Sequence, residues 1–144
     1  MQNQSQAVRV ILAWAAACML LACGARGTGA ADSAADDPRT ATITADALRQ
    51  RLQTKEPAPL VVDVREPHEF AQGHIEGAKL APLGRVVEEL GNVEKDREIV
   101  LVCRTDNRSG KAQKLLAARG FTTLRNMDGG MVAWQKRGYP VVKP

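Results

Sequence analysis

The stretch VLVCRTDNRSGKAQKLL, residues 100–116, decides how this chain is read. It opens with a short uninterrupted apolar run that ends on a thiol. Such a run, reaching from Ile99 to Cys103, is the mark of a strand covered on both faces. Polar residues follow, and then a segment with helical spacing. Ala112, Leu115 and Leu116 are expected to share one face of a helix over Ser109–Arg119, with Gly120 as its stop. A lone cysteine therefore stands where a buried strand turns into a helix.

The same alternation extends outward from this unit. Ile43 falls in a short first strand, and Thr44 can cap a helix over Ala45–Leu52. Asp46 sits in the first turn of that helix, where its dipole favours a negative charge. Leu60–Val64 is a second buried strand. Pro67–Ala71 reads as a short helix with proline at its start, Ala78–Leu80 as a short strand and Arg85–Leu90 as a helix. Phe121–Arg125 reads as a further strand. Met131–Arg137 is a closing helix after the Gly129-Gly130 turn. Strands alternating with helices imply an α/β fold, a central parallel sheet of about five strands with helices on both faces. Ligands bind beyond the carboxyl ends of the strands in such sheets. Cys103 and Asp63 both lie at such ends.

The 144 residues suit one domain. Aromatics make up only 3%, so the core must be aliphatic. The net charge is +4, but the signs are interspersed and no basic block occurs. Nucleic acid is therefore not an expected partner, and a monomer is expected.

Residues 1–22 read as an export signal. Arg9 flanks an apolar run from Val10 to Cys23, which is shorter than the roughly 20 residues of a spanning helix. Leu20-Leu21-Ala22-Cys23 resembles a bacterial lipobox, with cleavage before Cys23 and lipid on its thiol. Leu21 is a less usual residue at the middle of that motif, and ordinary secretion with cleavage elsewhere is the alternative. Cys18 follows Ala15-Ala16-Ala17, lacks the leucine and makes a poorer site. Residues 23–40 are then the anchor and a flexible linker rich in Gly, Ala, Ser and Asp, and residues 41–144 are the folded domain. The expected location is the cell envelope, facing the periplasm and anchored to a membrane by lipid. Cys103 would be the one thiol left over, unusual in a compartment that oxidises thiols to disulfides.

Cys103-Arg104-Thr105-Asp106-Asn107-Arg108-Ser109 has the makings of an anion cradle. Successive backbone N–H groups in a strand-to-helix loop can converge on one point, and the helix start adds its own unpaired N–H groups. A thiol placed there can fall in pKa from about 8.5 to between roughly 3.5 and 7.5. Arg104 and Arg108 could hold the oxygens of an anionic substrate, and the spacing of Arg108 suits it to close the cradle. The spacing is C-x4-R. Tyrosine-type phosphatases use C-x5-R, so the shorter loop encloses less space and favours a single sulfur over a phosphoryl group. Asp63 and Arg65 read as an ion pair supporting the site from the neighbouring strand. His74 reads as a hydrogen-bonded structural histidine, Lys111 as solvated charge and Trp134 as a packing anchor. Asp128-Gly129-Gly130 reads as a turn whose backbone could border the site.

Four segments in order resemble a single-domain rhodanese, a sulfurtransferase. They are Val62–Phe70, Gly73–Ala78, Cys103–Ser109 and Asn126–Trp134. The resemblance implies ping-pong sulfur transfer without a cofactor. Cys103 would take a sulfane sulfur from a donor such as thiosulfate and pass it, as a persulfide, to cyanide or a thiol. In one respect the chain departs from the pattern. Relatives with this loop commonly have glycine where Asp106 stands, which implies a left-handed backbone there. Its carboxylate is expected to oppose thiolate and donor, and to pair with Arg104 or Arg108. The competing readings are a binding or redox-sensing domain with little activity, and a phosphatase or arsenate reductase.

Overall fold

The computed structural model describes residues 40–54 and 56–144. The export signal, Cys18, the Cys23 anchor and the linker up to residue 39 lie outside the described residues, and Thr40, the last residue of the expected linker, opens the first strand. Among the described residues, no helix is long and apolar enough to cross a membrane.

Ten elements follow one another in the order the alternation implies: β1 (Thr40–Ile43), α1 (Ala45–Gln53), β2 (Leu60–Asp63), α2 (Pro67–Ala71), β3 (Lys79–Leu80), α3 (Val86–Glu89), β4 (Ile99–Val102), α4 (Asn107–Ala117), β5 (Leu124–Met127) and α5 (Gly130–Lys136). The five strands form one parallel sheet in the order β1-β5-β4-β2-β3. β4 is its centre and pairs with β2 from Leu60↔Ile99 to Asp63↔Val102.

The residues of β4 alternate between two cores. Ile99, Leu101 and Cys103 belong to one, with Leu90, Ala112, Leu116 and Phe121. Val100 and Val102 belong to the other, with Leu48, Met131 and Trp134. Every β4 side chain is thus buried, so the strand shows no polar-apolar alternation in sequence. Burying each such aliphatic side chain stabilises by about 1.5–3 kcal/mol. Cys103 keeps the parity of Ile99 and Leu101. This sends the thiol to the side of the sheet that carries α4.

Most element boundaries shift from the sequence reading, and three of the shifts have a visible cause. β4 ends at Val102, one residue early, because the chain turns at the thiol. β5 starts at Leu124 rather than Phe121. Phe121 supplies core packing and its N–H closes on Leu116 O, while Thr122 N–H donates to Lys95 O. The polar pair Arg125 and Asn126 instead joins the ladder. α4 starts at Asn107, two residues early. Leu115 does not share the buried face: it is 48% exposed. Gln113 takes the inward position, and its Nε2 donates to Ala41 O at 2.8 Å and Leu124 O at 3.2 Å.

The strand order has a functional consequence. From β2 the chain moves on to β3, on one side of the sheet; from β4 it moves on to β5, on the other. The crevice between the carboxyl ends of β2 and β4 is therefore the topological switch point, where open α/β sheets bind ligands. Asp63 and Cys103 flank it.

Candidate functional site

The loop from Cys103 to Asp106 turns back on its own thiol. Asp106 N–H donates to Cys103 Sγ at 3.1 Å, and the Ser109 hydroxyl lies 3.2 Å from the same sulfur. The turn requires a left-handed residue, and Asp106 supplies it at φ 111°. Aspartate enters this region more readily than most residues. Its carbonyl then accepts from Gly110 N–H at 2.8 Å, the first bond of α4, and from Asn126 Nδ2 at 3.3 Å. Ser109 Oγ also lies 3.0 Å from that carbonyl. The hydroxyl has one proton, so sulfur and carbonyl compete for it.

Cys103 is 1% exposed. Burial pushes its pKa up and is the largest single influence. The hydrogen bonds from the Ser109 hydroxyl and from the N–H groups of Ser109, Asp106 and Thr105 together outweigh it, and the net shift is downward. The cradle thus stabilises a thiolate chiefly through hydrogen bonds.

α5 braces the loop from behind. Met131 N–H donates to Cys103 O at 2.8 Å, and Val132 N–H to Arg104 O at 3.1 Å. The two backbones approach so closely that a Cβ on Gly130 would stand 2.4 Å from Cys103 O. The Asp128-Gly129-Gly130 turn therefore borders the loop directly.

The two loop arginines have different surroundings. Arg108 does not point freely into the cradle: Nη1 and Nη2 bind Glu69 Oε2 and Oε1 at 2.6 and 2.7 Å. The pair holds the Glu69 carboxyl down at about 2, against the opposing effect of burial, and raises the Arg108 pKa. Glu69 Oε2 also accepts from Glu66 N–H at 3.0 Å, which closes the start of α2. Arg104 is exposed and makes no ion pair among the described residues. The expected pairing of Asp106 with one of these arginines does not form. Its Oδ2 faces Gly129 N–H at 3.4 Å instead, because the left-handed turn carries the carboxylate towards the β5–α5 turn.

Asp63 and Arg65 form the expected pair. Arg65 Nη2 is 2.7 Å from Asp63 Oδ2, Nε reaches both carboxylate oxygens at 3.0 Å, and the Arg65 N–H donates to Oδ1 at 3.0 Å. Arg65 Nη2 also donates to Gly73 O at 2.8 Å. Both side chains are buried, and together they fix the β2–α2 turn beside the loop. His74 is structural: Nδ1 is 3.1 Å from Phe70 O and the ring stacks on Phe70. Trp134 is buried with Nε1 donating to Pro140 O. Lys111, Thr105 and Asn107 are exposed.

Glu69 and Asn126 were not singled out as site residues from sequence. Glu66-Pro67-x-Glu69 carried the spacing of a helix cap, but its partner Arg108 lies 39 residues away. A larger open cavity of about 740 Å³ lies among α1, β1 and β5. It has no thiol, and Arg51 and Arg125 both pair with Glu98.

The family described as "Rhodanese-like domain" matches residues 44–137. A "Sulfurtransferase" of Allochromatium vinosum is 37% identical over 102 residues, which is 71% of this chain and 94% of that one. The "Thiosulfate sulfurtransferase GlpE" of Pseudomonas putida is 37% identical over 84 residues, 58% of this chain and 76% of that one. A crystal structure of a rhodanese-like domain protein from Staphylococcus aureus superposes with a TM-score of 0.65 at 34% identity, over 72% of this chain and 98% of that one.

Proposed function

The chain belongs to the rhodanese-like domain family, and from that premise we propose that it is a sulfurtransferase working through a Cys103 persulfide. The observation that carries this reading is the pair of donors on Cys103 Sγ, Asp106 N–H and the Ser109 hydroxyl. They favour a thiolate in a loop whose C-x4-R spacing is one residue shorter than the phosphatase cradle. Two relatives with sulfurtransferase names support it.

In the donor step the Cys103 thiolate attacks the outer sulfur of thiosulfate. A new S–S bond forms, the bond between the two donor sulfurs breaks, and sulfite leaves with the electron pair. In the acceptor step a thiolate or cyanide attacks the outer sulfur of the persulfide, and Cys103 leaves as thiolate. Two displacements restore the starting state and no external oxidant is consumed. Ser109, Asp106 and Thr105 stabilise the thiolate, as leaving group in one step and nucleophile in the other. Asp63, Arg65, Glu69 and Arg108 hold the walls of the loop. Asn107 opens α4 and contributes its place in the turn rather than a contact to sulfur.

The decisive experiment incubates residues 40–144 with thiosulfate, removes excess donor and records intact mass. A gain of about 32 Da in the native sequence, absent in Cys103→Ser, is the expected result. No gain with thiosulfate or with a persulfide donor would overturn the reading in favour of a binding or redox-sensing domain. The proposal includes an envelope location with lipid on Cys23. Labelling of the full chain in bacteria by a palmitate analogue, lost in Cys23→Ser, tests that part.

A further inference from the structure

We propose that Asn126 is a positioning residue for the site: its amide occupies the carbonyl of Asp106 and so directs the Ser109 hydroxyl proton to Cys103 Sγ. This deepens the sulfur-transfer reading above, which needs a thiolate at Cys103, but its test involves no sulfur transfer.

Three donors converge on Asp106 O: Gly110 N–H at 2.8 Å, Ser109 Oγ at 3.0 Å and Asn126 Nδ2 at 3.3 Å. A carbonyl oxygen has two lone pairs. The Gly110 N–H belongs to the backbone of α4 and cannot turn away. The second place is contested by the Asn126 amide and the Ser109 hydroxyl. Only the hydroxyl has somewhere else to go, since Cys103 Sγ lies 3.2 Å from it. With Asn126 in the second place, the Ser109 proton is left for sulfur. A bond to a thiolate is charge-assisted and stronger than one to a neutral carbonyl, so this arrangement satisfies both acceptors best.

The sheet supplies the amide. Asn126 keeps the parity of Leu124, which packs in the core that contains Cys103, so its side chain faces α4. α4 leaves room for it at Gly110, where a Cβ would lie 3.6 Å from Asn126 Nδ2. Asn126 Oδ1 is buried with no hydrogen-bond partner among the described residues. An unsatisfied buried acceptor is destabilising. Turning the amide over would not relieve it, because Oδ1 would then face Asp106 O. A leucine would fill the space without that penalty; what the asparagine adds is its donor. Charged groups do not decide the direction of the proton. Arg108 on α4 is paired with Glu69 on α2, Arg65 with Asp63, and Asp106 Oδ2 faces Gly129 N–H. Arg104 and Asp128 are exposed.

The test reads the thiol itself. Iodoacetamide alkylation of Cys103 is followed against pH in the full chain, by mass spectrometry of the peptide that carries it. The variants are Asn126→Leu, which keeps the volume, Asn126→Ala, which leaves room, and each combined with Ser109→Ala. Each single Asn126 variant is expected to raise the pH midpoint by about half a unit and to slow alkylation at neutral pH about threefold, a fraction of the worth of one hydrogen bond. In the Ser109→Ala background the same changes are expected to add nothing, since no hydroxyl proton is left to redirect. An unmoved midpoint in the single variants would overturn the inference. So would an equal shift in the Ser109→Ala background, which would mean that Asn126 only stiffens the loop. If the native chain does not load with thiosulfate while the midpoints move as stated, sulfur transfer falls and the role of Asn126 stands.

Discussion

At the residue scale the site depends on one proton. Ser109 Oγ stands between Cys103 Sγ and Asp106 O, and donation to sulfur is what favours the thiolate. Ser109→Ala is therefore expected to raise the thiol pKa, moving the pH midpoint of iodoacetamide alkylation upward by about one unit. The rate at neutral pH should fall roughly tenfold, read by mass spectrometry as alkylation against time. Asp106 is a second point of leverage, since it is a non-glycine residue at φ 111°. Asp106→Gly is expected to relieve about 1 kcal/mol of backbone strain, seen as a higher urea midpoint. If the carboxylate opposes the incoming anion, the same variant should also turn over thiosulfate faster. The left-handed position was legible in the sequence through the aspartate that stands in place of the usual glycine. The direction of its carboxylate was not, because that depends on how β5 and α5 meet the loop.

At the element scale, Glu69 ties the start of α2 to the first turn of α4. Its carboxyl is held at about 2 against an ordinary value of 4.5. A depressed carboxyl contributes stability above pH 4.5 and loses it as pH falls towards 2. Glu69→Gln is thus expected to be less stable than the native domain at pH 7, by on the order of 1–2 kcal/mol after allowing for partial exposure. The gap should close between pH 4.5 and 2 in urea unfolding at stepped pH. α5 acts on the loop through contact of backbones. Gly130→Ala would place a Cβ 2.4 Å from Cys103 O. The expected loss is on the order of 2–4 kcal/mol from overlap and a left-handed backbone, with a raised thiol pKa in the same alkylation assay. Helices and strands were legible from runs and caps because those signals are local. Thr44 illustrates this: it does cap α1, accepting from Ala47 N–H at 3.2 Å. Arg108 illustrates the opposite, since spacing within the loop gave no view of the carboxylate on α2.

At the scale of the whole molecule, one topological fact gathers the site. The chain diverges after β2 and β4, and their carboxyl ends face a shared crevice. A parallel sheet could be read from the apolar runs Leu60–Val62 and Ile99–Cys103. Its strand order could not, since order depends on crossovers that leave little mark on any single segment. β5 shows the same limit: Arg125 and Asn126 are polar in a strand, and they are there because Glu98 and Asp106 O await them.

The near-complete burial of Cys103 has a consequence for what the protein shows its surroundings. A sulfur added to Sγ would extend it by about 2 Å, and only an outward direction would leave that atom open to an acceptor. The chain would then display its cargo and conceal its own sulfur. Cys103 itself would be shielded from disulfide exchange and over-oxidation, while the transferable atom stood within a partner's reach.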